Sequence, residues 1–269
     1  MAASEPVQFF DIVSTLPGAQ KSWSPNTLKV RSVLNFKGIP YTQSWISYPD
    51  IAPLIKSLEL SPNETGTPYT LPAIIHKSSV TSNSHGAMMD SFPIVLHLDK
   101  VFPSRPLFPN GDASYALYLA VGKIAGGIWP AVRALIIPKV ADSLDPRGKE
   151  YFVETRSKSF GKPLSEVLPT DQETIESLWA QMETETAPLI TMLKGREGKK
   201  GPFFEGETPA YVDLFLACIF AFFQRICPES FKRLMAFGNG EFKALWDACE
   251  PWMDGQGDEK EWPVPQAAS

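Results

Sequence analysis

The 269-residue chain is predicted to be an α/β unit over residues 1–104 followed by an all-helical unit over 112–269. Three observations carry this reading. Strand-like and helix-like patterns alternate through the first part of the chain. Residues 103–112, PSRPLFPNGD, lose all periodicity and read as a linker. Beyond them apolar residues keep helical spacing and no strand pattern is found. The length suits two domains at roughly 100–200 residues each.

Residues 7–12 are short and mostly apolar, a largely buried strand. Ser24-Pro25 opens a helix, serine as cap and proline in the first turn. Thr27, Val30, Val33 and Leu34 share its inner face, and Lys37-Gly38-Ile39-Pro40 stops it. Residues 41–46 are β-branched and aromatic enough for a second strand. Ile51, Leu54, Ile55 and Leu58 then mark an amphipathic helix. Residues 70–76 read as a third strand, with Pro72 unable to donate to a ladder. A fourth strand is expected at 87–89, then a helix capped by Asp90-Ser91 with Ile94, Val95, Leu98, Val101 and Phe102 inside. In the second unit, 113–144 is helical with breaks at Gly126-Gly127, Pro130 and Pro138. Ile175 to Leu193 keeps helical spacing despite Pro188, and 212–226 is apolar on most sides, as a central buried helix is. The acidic tail after Trp252 is expected to be loose surface chain.

Composition narrows the function. With 25 basic against 30 acidic residues, the net charge of −5 leaves no cationic excess to displace counterions from a phosphate backbone, so nucleic acid is not an expected partner. The start, Met1-Ala2-Ala3-Ser4-Glu5-Pro6, lacks the features of a secretory signal. The longest apolar stretch, 214–223, falls short of the ~20 residues that span a bilayer. A soluble, cytoplasmic protein is expected, with no membrane partner. Cys218, Cys227 and Cys249 form no Cys-x-x-Cys pair and suit a reducing compartment. Each reads as a small buried hydrophobe with nothing nearby to stabilise a thiolate. His76, His85 and His97 show no metal-ligand spacing and no partner serine or cysteine, so no metal and no triad are expected.

The strand order, a proline opening the third strand and the Asp90-Ser91 helix start are the layout of a thioredoxin-like domain. Leu71-Pro72-Ala73-Ile74 resembles the cis-proline turn of glutathione transferases, and Asp90-Ser91-Phe92-Pro93-Ile94 resembles their acidic-serine motif. Trp23-Ser24-Pro25-Asn26-Thr27, Tyr48-Pro49-Asp50-Ile51 and Glu154-Thr155-Arg156-Ser157-Lys158-Ser159-Phe160-Gly161 are similar to the fungal etherase-related class, FuA. The likeness runs from about Val7 to Trp252.

The resemblance implies roles. Ser24 donates a hydrogen bond to the glutathione sulfur, where local sequence alone reads it as a helix cap. Leu71 pairs its backbone with the cysteinyl part of the tripeptide across a cis bond to Pro72. Asp90 and Ser91 bind the γ-glutamyl end. Trp23, Tyr115 and Trp129 are expected to line the second-substrate pocket. Where the family has a Ser/Thr-x-x-Asp capping box, this chain reads Ala210-Tyr211-Val212-Asp213, so Thr208 is expected to cap one turn earlier. The implied activity is conjugation or cleavage of hydrophobic aromatic electrophiles by glutathione as co-substrate, in a homodimer. A carrier of phenolic compounds on the same fold, and an interaction module that has lost glutathione, are the alternatives.

Overall fold

β1 (Val7–Ile12) is buried at every residue, as a central strand covered on both faces requires. In the computed structural model, which describes residues 5–254 and 257–265, the predicted strands and helices of the first unit are present. β1 pairs parallel with β2 (Tyr41–Ile46) and antiparallel with β3 (Ala73–Ile75), and β4 (Ala87–Met89) lies antiparallel beyond β3. β3 is shorter than the predicted 70–76 because Pro72 has no N–H to give a ladder. α1 (Pro25–Lys37) and α3 (Ser91–Val101) pack on one another and on the sheet. α2 (Ile51–Ser57), which lies between them in sequence, buries Ile51, Leu54 and Ile55. Gly38, at φ 66°, ends α1 by returning its N–H to the Leu34 and Asn35 carbonyls. The Lys37 ammonium is buried but saturated, donating to Asp99 (2.7 Å) and to the Ser104 and Arg105 carbonyls (3.0 and 2.9 Å). This is a thioredoxin-like domain.

The tail departs from expectation. Asp258–Glu259 (β5) pairs parallel with β2 and completes the sheet order β4-β3-β1-β2-β5. The Lys260 N–H donates to the Gln43 carbonyl at 2.8 Å. Glu259 accepts from Trp45 Nε1 (2.7 Å) and the Lys21 ammonium (3.3 Å). Trp262 stands edge-on to Phe10, ring centroids 5.1 Å apart. A short polar strand carries no alternation, so only its partner reveals it. The first unit therefore comprises the chain up to Arg105, Leu144–Tyr151 and the chain from Trp252 onward, instead of one contiguous stretch.

The second unit is helical. α4 (Asp112–Ala125), a 3-10 turn at Gly126–Ile128, α5 (Trp129–Leu135) and α6 (Ile137–Val140) break where glycine and proline were expected to break them. Asp112–Leu135 is, by length and composition alone, apolar enough to cross a membrane, although polar residues interrupt its apolar run in the sequence. α7 (Pro146–Phe160) follows, then α8 (Gln172–Lys194), which passes through Pro188 and starts with Asp171 accepting from the Thr174 N–H. α9 (Tyr211–Ile226) is the buried central helix, followed by α10 (Pro228–Met235) and α11 (Glu241–Asp254). α9 begins after Ala210, not a turn earlier at Thr208. Alanine has no acceptor, so only half of a capping box forms, with the Asp213 carboxylate accepting from the N–H groups of Phe204 and Ala210 at 2.8 Å each. Burial pushes the Asp213 carboxyl up to about 7 against these two bonds.

Cys227 corrects the reading of the thiols. It caps α10, and its sulfur accepts from the Ser230 hydroxyl (3.0 Å) and the Lys139 ammonium (3.1 Å). Burial opposes the thiolate, but these two donors outweigh it and hold the thiol below its usual range. Cys218 and Cys249 are wholly buried, and burial pushes Cys249 up. Limited treatment with iodoacetamide at neutral pH is therefore expected to alkylate Cys227 first, as read by peptide mass mapping; equal labelling of the three thiols contradicts this.

Candidate functional site

After β1 the chain runs through a 3-10 turn, Gly18–Lys21, to Ser24. Three bonds fasten this loop: the Ser22 hydroxyl to Asp11 Oδ2 (2.5 Å), the Ser14 hydroxyl to the Lys21 carbonyl (2.9 Å) and Arg31 Nη1 to the Ala19 carbonyl (3.0 Å). Asp11 is fully buried, and burial raises its carboxyl while Ser22, Thr27 and Arg31 pull it down. Ser24 takes the cap position of α1 by backbone alone, its carbonyl accepting from the Leu28 N–H at 2.9 Å. Its hydroxyl makes no cap bond. The side chain that local sequence reads as a cap thus makes no cap bond, and Ser24 lies buried beside the helix N-terminus.

Leu71-Pro72 is a cis peptide. The Pro72 carbonyl accepts from the Asp90 N–H at 3.2 Å, which joins the start of β3 to the start of α3. Asp90 sits at φ 75°, a region that favours glycine and costs another residue about 1–3 kcal/mol. Its carboxylate does not cap α3 either; Oδ1 accepts from the Thr70 hydroxyl (2.9 Å) and Asn63 Nδ2 (3.4 Å). Sequence reading missed Thr70 and Asn63, because they lie outside the motif that names Asp90. Ser91 is the first residue of α3 and half-buried. The register, Phe10 opposite Ala73 and Ala73 opposite Met89, places the end of β1, the start of β3 and the end of β4 together. Ser24, Leu71-Pro72 and Asp90-Ser91 therefore gather at one end of the sheet.

The aromatic residues divide. Trp23 is only 3% exposed and belongs to the core of the first unit. Its ring lies 6.4 Å from that of Tyr48, which stacks on Tyr151 at 6.1 Å and 15°. Tyr151 is 40% exposed, and neither it nor Tyr48 was read from sequence as lining a pocket. Tyr115 and Trp129 belong to the second unit and are 37% and 47% exposed.

The histidines also differ from expectation. Ser79 Oγ lies 2.5 Å from His76 Nδ1 and 2.8 Å from His97 Nε2, so two of the three have a partner serine. His97 is too distant in sequence for spacing to show this. No group of three metal-ligating side chains is found among the described residues.

Comparison with known proteins finds relatives along most of the chain. The family model of the glutathione S-transferase N-terminal domain matches residues 23–101, and that of the C-terminal domain matches residues 121–252. Over 267 residues the chain is 54% identical to the glutathione S-transferase-like protein ustS of Aspergillus flavus, covering 98% of this chain and 97% of that protein. The glutathione transferase GSTFuA3 of Phanerochaete chrysosporium superposes with a TM-score of 0.80 at 29% identity, over 93% of this chain and 98% of its own. A glutathione S-transferase of Ceriporiopsis subvermispora, solved in complex with glutathione, gives 0.79 at 28% identity, over 98% and 100%.

Proposed function

The chain belongs to the glutathione S-transferase family, and on that premise we propose that it binds glutathione, activates the thiol with Ser24 and directs it at hydrophobic aromatic electrophiles. The observation that carries this is the Ser24 hydroxyl, held at a helix N-terminus and free of the cap bond its position invites. A thiol with its usual pKa of about 8.5 is mostly protonated at pH 7, and a donor aimed at the sulfur favours the thiolate. Leu71 offers its backbone to the cysteinyl unit. Ser91 and the first N–H groups of α3 receive the γ-glutamyl carboxylate, and Asp90, fixed by Thr70 and Asn63, receives the amino group. The sulfur then attacks the electrophile, so that positioning and thiol activation carry the rate.

Aromatic side chains that reach the surface of each unit support the choice of electrophile, the Tyr48–Tyr151 stack on the first and Tyr115 and Trp129 on the second. The homodimer and the cytoplasmic setting belong to the same proposal, the latter supported by three cysteines that form no disulfide. Calorimetric titration is expected to show glutathione binding to the wild type and weakened binding to Asp90→Ala. Absence of wild-type binding sinks the reading.

A further inference from the structure

His76 follows β3, at the end of the sheet opposite Ser24 and beside Glu5. The residue is 3% exposed and its ring rests against Phe102, centroids 5.7 Å apart. The Glu5 carbonyl, 3.2 Å from His76 Nε2, can only accept, so Nε2 carries the proton and Nδ1 presents a lone pair. The Ser79 hydroxyl, 2.5 Å away, donates into that lone pair. With its proton committed, Ser79 Oγ accepts from His97 Nε2–H at 2.8 Å. One hydroxyl thus sits between an imidazole that takes its proton and a second that donates to its oxygen. The Ser78 hydroxyl, 3.0 Å from His76 Nε2, further fixes the ring.

The turn does not need this hydroxyl. The N–H groups of Ser79 and Val80 already close it on the His76 carbonyl at 3.1 and 2.9 Å. Lys77 and Ser78 are exposed and Ser79 is half-buried, so solvent reaches the turn. Burial, and then the neighbouring His76 and Lys100, keep His97 below its usual range and therefore neutral near pH 7. A serine aimed at a base that a third group orients is the arrangement of an activated nucleophile.

We propose that Ser79 is a nucleophilic serine, with His76 as its general base, that accepts acyl or phosphoryl groups from activated esters and fluorides. With an ester, Ser79 Oγ bonds to the carbonyl carbon and its proton passes to His76 Nδ1. The ester C–O bond then breaks, and the leaving alkoxide takes that proton and departs as the alcohol. The acyl-serine remains, and His76 has given up the proton it took. With a fluorophosphonate the O–P bond forms, the P–F bond breaks and fluoride leaves with the serine proton.

The test uses the full chain, without glutathione, treated with a fluorophosphonate probe and mapped by peptide mass. One adduct is expected, on the peptide carrying Ser79, and none on that peptide in Ser79→Ala. His76→Gln is expected to slow labelling by ~100-fold or more, the usual contribution of a general base. His97→Gln, made on the more exposed ring, is expected to slow it by a smaller factor and serves as the second variant if His76→Gln does not fold. Circular dichroism reports folding of each variant. An unlabelled wild type, an adduct only at another residue, or unchanged labelling of a folded His76→Gln or His97→Gln overturns the proposal.

Discussion

Ser24→Ala is expected to raise the pKa of bound glutathione by about one to two units and to lower kcat/KM by about 10–100-fold at pH 7. A hydrogen bond to a charged partner contributes roughly 1.5–3 kcal/mol, and each pKa unit corresponds to about 1.4 kcal/mol. The N-terminus of α1 survives the substitution but supplies only about 0.3–1 kcal/mol, so it does not replace the hydroxyl. A lost side-chain cap costs about 0.5–2 kcal/mol of stability. Here the hydroxyl makes no cap bond, so the melting temperature is expected to stay nearly unchanged. Thiolate absorbance of the bound tripeptide across pH, with a thermal melt alongside, separates these effects. A melting loss with an unmoved thiol pKa assigns Ser24 to the helix and removes it from the chemistry.

The second large effect lies in the helical unit. Asp213→Ala leaves the N–H groups of Phe204 and Ala210 without their acceptor, each at a cost of about 1–3 kcal/mol in the interior. A loss of about 3 kcal/mol is expected in urea unfolding. The carboxyl also sets a pH dependence. It ionises near 3.8 when unfolded but at about 7 when folded, so between these values the native state holds a proton that the unfolded chain has lost. Its contribution is complete below about pH 4. It then falls by about 1.4 kcal/mol per pH unit up to about pH 7, and levels beyond. Asp213→Asn, which keeps one acceptor and cannot titrate, is expected to lose less stability and to flatten the slope. A slope unchanged in both variants assigns the titration to other groups.

Local signals made most of the first unit legible. Apolar runs bounded by Gly38-Ile39-Pro40 and by the loop before Ala87 placed β1, β2, β4 and α1 closely. The Leu71-Pro72 and Asp90-Ser91 motifs marked residues that the strand register brings to one end of the sheet. What sequence hid depends on distant partners. β5 exists because β2 presents an edge to it, and the shift in Cys227 depends on Lys139, on a different helix. The pairing of Ser79 with His97 follows from how the turn after β3 meets α3. Sequence reads Ser24 as a cap or a thiol donor, and that its hydroxyl makes no cap bond depends on a side-chain rotamer that local sequence does not specify.

The order of synthesis gives the β5 strand a further consequence. A ribosome that has released residues up to Arg105 has made four strands of the first unit but neither Leu144–Tyr151 nor the segment beyond Trp252. Until Lys260 has been made, the Gln43 carbonyl lacks the Lys260 N–H and the Ser44 hydroxyl lacks the Lys260 carbonyl. β2 is then an open edge, able to pair with another nascent chain. The N-terminal sheet is closed by a segment made after the whole helical unit, so it cannot finish folding before that unit has been synthesised.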